Sequence, residues 1–208
     1  MSLIAQLPQF APERVAVGQA TVQFRRARSA LAGEAVTHVL LHGIGSASGS
    51  WLAQLQQTRA AQGLSAHVLA WDAPGYANST ALPMDTPVAA DYALRLWQWL
   101  DALGDQAAAP LTLVGHSLGA LMAAAAAGMA STRVTRLVLL APAQGYARAD
   151  AAERDKKLAD RLANLARLGP AGMAQQRASA MLSSGASADQ VAFVAQLMAQ
   201  INPGGYSQ

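Results

Sequence analysis

The 208 residues carry 15 Lys or Arg against 12 Asp or Glu, a net charge of +3, and are 52% apolar with only 13% charged. That balance supplies a buried core and excludes disorder, while the absence of cysteine excludes disulfide scaffolds, thiolate metal sites and cysteine nucleophiles. With aromatics at 5% and no basic stripe interleaved with them, a nucleic-acid reader is also excluded. The one tight basic cluster, Arg25-Arg26-Ala27-Arg28, reads as a solvated strand end. The first twenty residues show no charged start followed by an apolar run. The longest apolar stretch, Leu118 to Ala130, falls short of the ~20 residues a membrane helix needs. The expectation is a cytoplasmic, single-domain protein with no membrane segment. Its richness in Ala, and in Arg over Lys, points to a GC-rich bacterial genome.

In chain order, Val15 to Phe24 is β-rich with polar alternation and predicts one or two early strands. Ala35 to Leu41 is a short apolar run ending at His42-Gly43, the pattern of a buried strand. Ser50 to Gln62 predicts a helix stopped by Gly63. Ala66 to Trp71 predicts the next strand, broken by the turn cluster Asp72-Ala73-Pro74-Gly75. A second helix opens at Asp85-Thr86-Pro87, with either of the first two as cap and Pro87 at the first helical position. Its core face is Leu96, Trp97, Leu100 and Leu103, and Gly104 ends it. Leu111 to Val114 is a strand running into Gly115-His116-Ser117-Leu118-Gly119, followed by the small-residue helix Leu118 to Ala130. Val134 to Leu140 predicts the last strand. Strands alternating with helices of this length imply parallel βαβ units in an α/β sheet.

Beyond Pro142 no strand signal remains. Leu158, Leu162, Leu165 and Leu168 form a helical stripe that reads as core of a helical cap, broken by Gly169-Pro170. A short helix is expected over 172–182. Another spans Asp189 to Ile201, with Ser187 as cap and Val191, Val194, Leu197, Met198 and Ile201 on its apolar face. Residues 1–142 thus read as an α/β core and 143–208 as a helical segment laid over it.

Gly115-x-Ser117-x-Gly119 carries the chemistry. A serine at the corner between a strand and a helix takes a strained backbone, probed by a φ above zero. Its neighbours two before and two after then approach other backbone too closely for a Cβ, hence the glycines. The corner lifts the Ser117 hydroxyl clear of the sheet. It also aims the Leu118 N–H, at the helix N-terminus, toward any oxyanion forming beside it.

Together with the upstream His42-Gly43-Ile44-Gly45, these residues resemble the α/β-hydrolase family. The His-Gly-x-Gly segment looks like that family's oxyanion loop, with Ile44 matching the second backbone donor and Gly45 as the alternative. Asp72 to Ser79 resembles the family's D-x-P-G-x-G-x-S turn, with Ala77 in place of a usual glycine. Gly115 to Gly119, with His116 in a structural position, matches its nucleophile elbow. Asn202 to Tyr206 resembles the last turn of the cap in lactonase-like and C–C-bond hydrolase-like members. The resemblance implies a three-layer α/β sandwich with a mostly parallel sheet. It implies a serine hydrolase acting on a carboxylic ester, lactone or related small acyl substrate, with Ser117 as nucleophile, Ile44 and Leu118 as oxyanion donors, and no cofactor or metal.

The family order is Ser, then Asp or Glu, then His. Here the four histidines, His38, His42, His67 and His116, all precede Ser117. The acids after it, Asp150, Glu153, Asp155, Asp160 and Asp189, fall in helical stretches and read as solvated faces. His42, with Asp72 as its carboxylate, is the best of a poor set of substitutes. The expectation is a chain truncated before the catalytic acid and base, incomplete at the far edge of its sheet, and of little activity alone. Val134 to Leu140 would then be an edge strand apolar on both faces, prone to pair with another copy. Two alternatives stay open: a non-catalytic binding module for a small ligand, and a fragment completed by a partner chain.

Overall fold

The computed structural model describes residues 1–146 and 148–207. Six strands form one sheet: β1 (Glu13–Val17), β2 (Ala20–Arg28), β3 (His38–Leu41), β4 (His67–Trp71), β5 (Leu111–His116) and β6 (Val134–Leu140). Their spatial order is β1-β2-β4-β3-β5-β6. β1 and β2 make an antiparallel hairpin, and β2 also runs antiparallel to β4. From β4 through β3 and β5 to β6 the pairing is parallel. The early β-rich run is therefore two strands, turned at Gly18 with φ 61°.

Strand alternation builds the layers. Successive side chains point to opposite faces. Val39, Leu41, Leu69 and Trp71 meet Leu96, Trp99 and Leu100 of α3 (Ala89–Ala102) and Met122, Ala123 and Ala126 of α4 (Leu118–Met129) on one side. Leu40, Val68 and Ala70 meet Leu52 and Leu55 of α2 (Leu52–Ala60) on the other. The result is the expected three-layer sandwich.

Several boundaries differ from the sequence reading. α3 begins at Ala89, not at Pro87, because the Asp91 carboxylate accepts from the Val88 N–H at 2.8 Å and sets the first turn there. α2 is preceded by a 3-10 turn, Ser48–Trp51, and stops before Gly63. A short N-terminal helix, α1 (Leu3–Gln6), and a 3-10 turn over Leu7–Phe10 carry no periodic signal yet bury Leu7 and Phe10. The Arg25 to Arg28 cluster is not a solvated strand end. Arg25 is part-buried and donates to the Phe10 carbonyl, Arg26 pairs with Glu13 at 3.0 Å, and Arg28 forms a bidentate pair with Glu34 at 2.8 Å. These arginines brace the antiparallel edge.

After the sheet come α5 (Ala151–Arg177), α6 (Ala188–Ala199) and α7 (Pro203–Ser207). α5 kinks at Gly169 (φ 60°, ψ 175°), and Pro170 restarts it, so the helix expected from 172 begins earlier and ends at Arg177. The Ser187 cap on α6 is present, its hydroxyl accepting from Gln190 N–H at 3.2 Å. Of the apolar stripe on α5, Leu165 is buried but Leu158 and Leu162 are 45% and 38% exposed, so only its C-terminal end is core. The reason is distance: α6 packs against the part of α5 near the kink, where Leu165, Met173 and Ala174 cluster with Met198 and Ile201. α6 also folds back on the N-terminus, with Phe193 and Leu197 beside Leu7 and Phe10. Asp189, expected as a solvated acid, accepts the Leu3 N–H at 2.9 Å.

β6 is the uncovered edge. It pairs with β5 on one side, and Leu137, Val138, Leu139 and Leu140 are each about 40% exposed. Apolar side chains thus reach solvent on both faces of that strand.

Candidate active site

Ser117 stands at the corner between β5 and α4 with φ 53° and ψ −116°, a backbone region that L-residues rarely occupy. What holds it there is the exit of β6: the Ser117 N–H donates to Leu140 O at 3.0 Å, and the Ala143 N–H donates to Ser117 O at 3.2 Å. The two flanking glycines make the corner possible. A Cβ on Gly115 would lie 2.4 Å from Gly119 O, and one on Gly119 would lie 2.3 Å from Leu41 O.

The loop after β3 abuts this corner. A Cβ on Gly43 would lie 3.1 Å from Ser117 Cβ and 3.1 Å from His116 Nδ1, so Gly43, Ile44 and Ser117 share one end of the sheet. Among the described residues, no acceptor takes the Ile44 or Leu118 N–H, and the Ser117 hydroxyl has no hydrogen-bond partner. Ser117, Ile44 and Leu118 are all half-buried, His116 is exposed, and Gly45 is a buried turn residue with φ 71° packed against Ile201.

His42 and Asp72 do not form a base and its carboxylate. His42 is 2% exposed. Its Nε2 accepts the Ala73 N–H at 3.1 Å, which leaves Nδ1 as the protonated nitrogen, donating to Gly43 O at 2.8 Å. Both ring nitrogens are thus consumed by backbone, and Tyr76 closes the edge of the ring at 4.9 Å. Asp72 is fully buried and accepts from Ser48 N–H at 2.6 Å and from Gln23 Nε2 at 2.8 Å, tying the two loops at this end of the sheet to β2. His67 lies at the start of β4, on Glu34 O, and His38 lies on Thr37. None of these imidazoles is positioned to take a proton from Ser117.

Burial sets a pH signature. Desolvation holds His42, His38 and His67 below the ordinary imidazole value of 6.5, outweighing the pull of Asp72 on His42. Such groups bind more protons unfolded than folded, so their contribution is complete above about pH 6.5 and is lost as pH falls toward the folded values. The urea midpoint should therefore drop between pH 7.5 and pH 5.5; an unmoved or higher midpoint would show these imidazoles charged in the fold.

Ala77 marks a second strained corner. It sits at φ 47° in the Asp72 to Ser79 turn, where left-handed backbone favours glycine. Ala77→Gly should stabilise the fold by about 0.5–1 kcal/mol, read from the denaturation midpoint; a loss would mean the methyl is packed rather than strained.

Sequence reasoning missed a second group of residues beside the loop. Lys157, Arg161 and Asn164 of α5, with Arg177 beyond the kink, line a cleft of about 210 Å³ with Ile44, Met173 and Tyr206. Their i, i+4, i+7 spacing on one helix face was the available signal. A larger cleft of about 290 Å³ lies on the other side of the loop, around Arg14, Arg25 and Ser46 to Gly49.

Comparison with known proteins adds the following. The model of the alpha/beta hydrolase family matches residues 39–205. No curated protein sequence matches the chain significantly. Among solved structures, the fold is similar to that of a hydrolase from Pseudomonas aeruginosa PA01, at 24% identity and TM-score 0.69 over 95% of this chain and 71% of that one. It is similar to an enol-lactonase from Burkholderia xenovorans LB400, at 19% identity and TM-score 0.70, over 94% of this chain and 70% of that one. An esterase from Thermogutta terrifontis matches at 19% identity and TM-score 0.70, over 94% and 69% respectively.

Proposed function

Because the chain belongs to the alpha/beta hydrolase family, we propose that it is the nucleophile-bearing part of a serine hydrolase for carboxylic esters, lactones or related acyl compounds. The observation that carries this is the strained Ser117 corner, with Gly43 pressed against its Cβ. In this reading Ser117 Oγ attacks the carbonyl carbon, and the Ile44 and Leu118 N–H groups donate to the oxyanion that develops. The serine proton passes to a base, which returns it to the leaving alcohol. Water, activated by the same base, then cleaves the acyl-enzyme.

Among the described residues no histidine hydrogen-bonds the Ser117 hydroxyl, so no base and no orienting carboxylate are assigned within these 208 residues. Little turnover is expected from the chain alone. A fluorophosphonate probe tests the nucleophile directly. The adduct, slow to form without the base, should map to Ser117 by peptide mass, and an adduct elsewhere, or none after prolonged incubation, would end the reading.

The uncovered β6 edge favours a second reading, in which another chain pairs there. Self-association through β6 should appear in sedimentation as concentration rises and be suppressed by Leu137→Lys with Leu139→Lys. A parent chain that stays monomeric across the series, with protected amides from Val134 to Leu140, counts against it.

A further inference from the structure

The cleft beside Ile44 collects charge of one sign. Lys157 and Arg161 stand one turn apart on α5, Asn164 follows on the same face, and the kink at Gly169 swings Arg177 in from the second half of the helix. Among the described residues, none that lines the cleft is acidic. Among the described residues, none of the three cations has a carboxylate within 4.0 Å; the lysine of α5 that does is Lys156, on Asp160. Arg161 is half-buried, its guanidinium over the Tyr206 ring at 5.9 Å. Like charges at i, i+4 repel by a few tenths of a kcal/mol even in water, and a third cation brought in by tertiary structure adds to that. Such an arrangement loses its repulsion when an anion enters. Ile44, whose N–H is the oxyanion donor in the hydrolase reading, also lines the cleft. The volume, about 210 Å³, is below the ~300–1,000 Å³ of pockets for drug-sized ligands.

We propose that this cleft binds a carboxylate carried by the substrate itself, so that the preferred substrate is a half-ester or lactone with a free acid arm. The inference rests on the hydrolase reading for the word substrate, but its geometry stands on the cleft alone. Arg161 supplies the planar donor pair that matches a carboxylate, with Lys157 and Arg177 closing over it. The arm then fixes which end of the molecule faces Ser117.

The test uses binding, so it does not need turnover. Monomethyl adipate is titrated into the 208-residue protein and followed by amide chemical shifts. Saturable shifts are expected at Ile44, Arg161 and Arg177, with affinity falling at least tenfold for neutral dimethyl adipate. A comparable loss is expected in the Lys157→Gln, Arg177→Gln double variant, whose two side chains are exposed and, among the described residues, unpaired, so the fold is kept. Arg161→Lys should retain charge yet lose affinity. Equal affinity for the neutral diester, no effect of the double variant, or inorganic phosphate binding as tightly as the half-ester overturns the proposal. Half-ester binding without any Ser117 adduct would therefore sink the hydrolase reading alone, whereas a Ser117 adduct without charge preference would sink this one alone.

Discussion

Ser117→Ala should abolish fluorophosphonate labelling completely while leaving the unfolding free energy within about 0.5 kcal/mol of the parent. The two halves of that expectation come from one geometry. The hydroxyl has no hydrogen-bond partner among the described residues, so its removal strands nothing, and alanine inherits the same φ of 53°. The strain itself is worth ~1–3 kcal/mol in sparsely populated backbone. Ser117→Gly should therefore stabilise the chain by about 1 kcal/mol as it too abolishes labelling. Stability gained with function lost is the pattern of a residue kept for chemistry. A Ser117→Ala protein that unfolds several kcal/mol earlier, or that still labels, would make the serine a structural element of the corner. The rate of labelling carries further information. Loss of the serine or the histidine from a complete triad costs about a millionfold in kcat. With no imidazole on Ser117, ester turnover by the parent chain should sit lower than that of a complete enzyme by a comparable factor.

Gly119→Ala should cost about 3 kcal/mol or more, a large part of the ~5–15 kcal/mol that holds a domain folded. The added carbon would lie 2.3 Å from Leu41 O and 2.6 Å from His42 O. Both contacts are to backbone at the end of β3, not to side chains that can rotate away. The helix can accept the methyl only by leaving the sheet, which would also part Ser117 from the His42–Gly45 loop. Gly128→Ala, nine residues further along α4, is the control. Nothing lies within 4 Å of its Cβ position, so it should gain about 0.5 kcal/mol from helix propensity. The pair is read from denaturant midpoints at constant slope. Equal small effects at the two positions would show that α4 does not press on β3 as described.

Much of this could be read in the chain before any coordinates. β6 is legible with its bounds intact because VTRLVLL is rich in β-branched residues and leucine and closes at Ala141-Pro142, and α4 because glycine and alanine dominate from Leu118. The serine corner was legible because strand, glycine spacing and helix are all local, within a dozen residues. α1 is not legible: four residues have no period to detect, and contacts with α6 and with the cluster around Leu7 and Phe10 hold them in place. The arginines of β2 were misread for a related reason. A basic run looks solvated until Glu13, Glu34 and Phe10, each from another segment, are seen beside it.

Local order in the residues thus settled the strand and helix succession, the corner at Ser117 and the family to which the chain belongs. Those features depend on side-chain periodicity and on where a Cβ can fit, and neighbours in sequence decide both. Only the folded chain decided the tautomer of His42, the burial of Asp72 and the gathering of Lys157, Arg161 and Arg177 beside Ile44. Each depends on groups far apart in sequence meeting at one point, where burial and the direction of a single backbone N–H fix what a side chain can do.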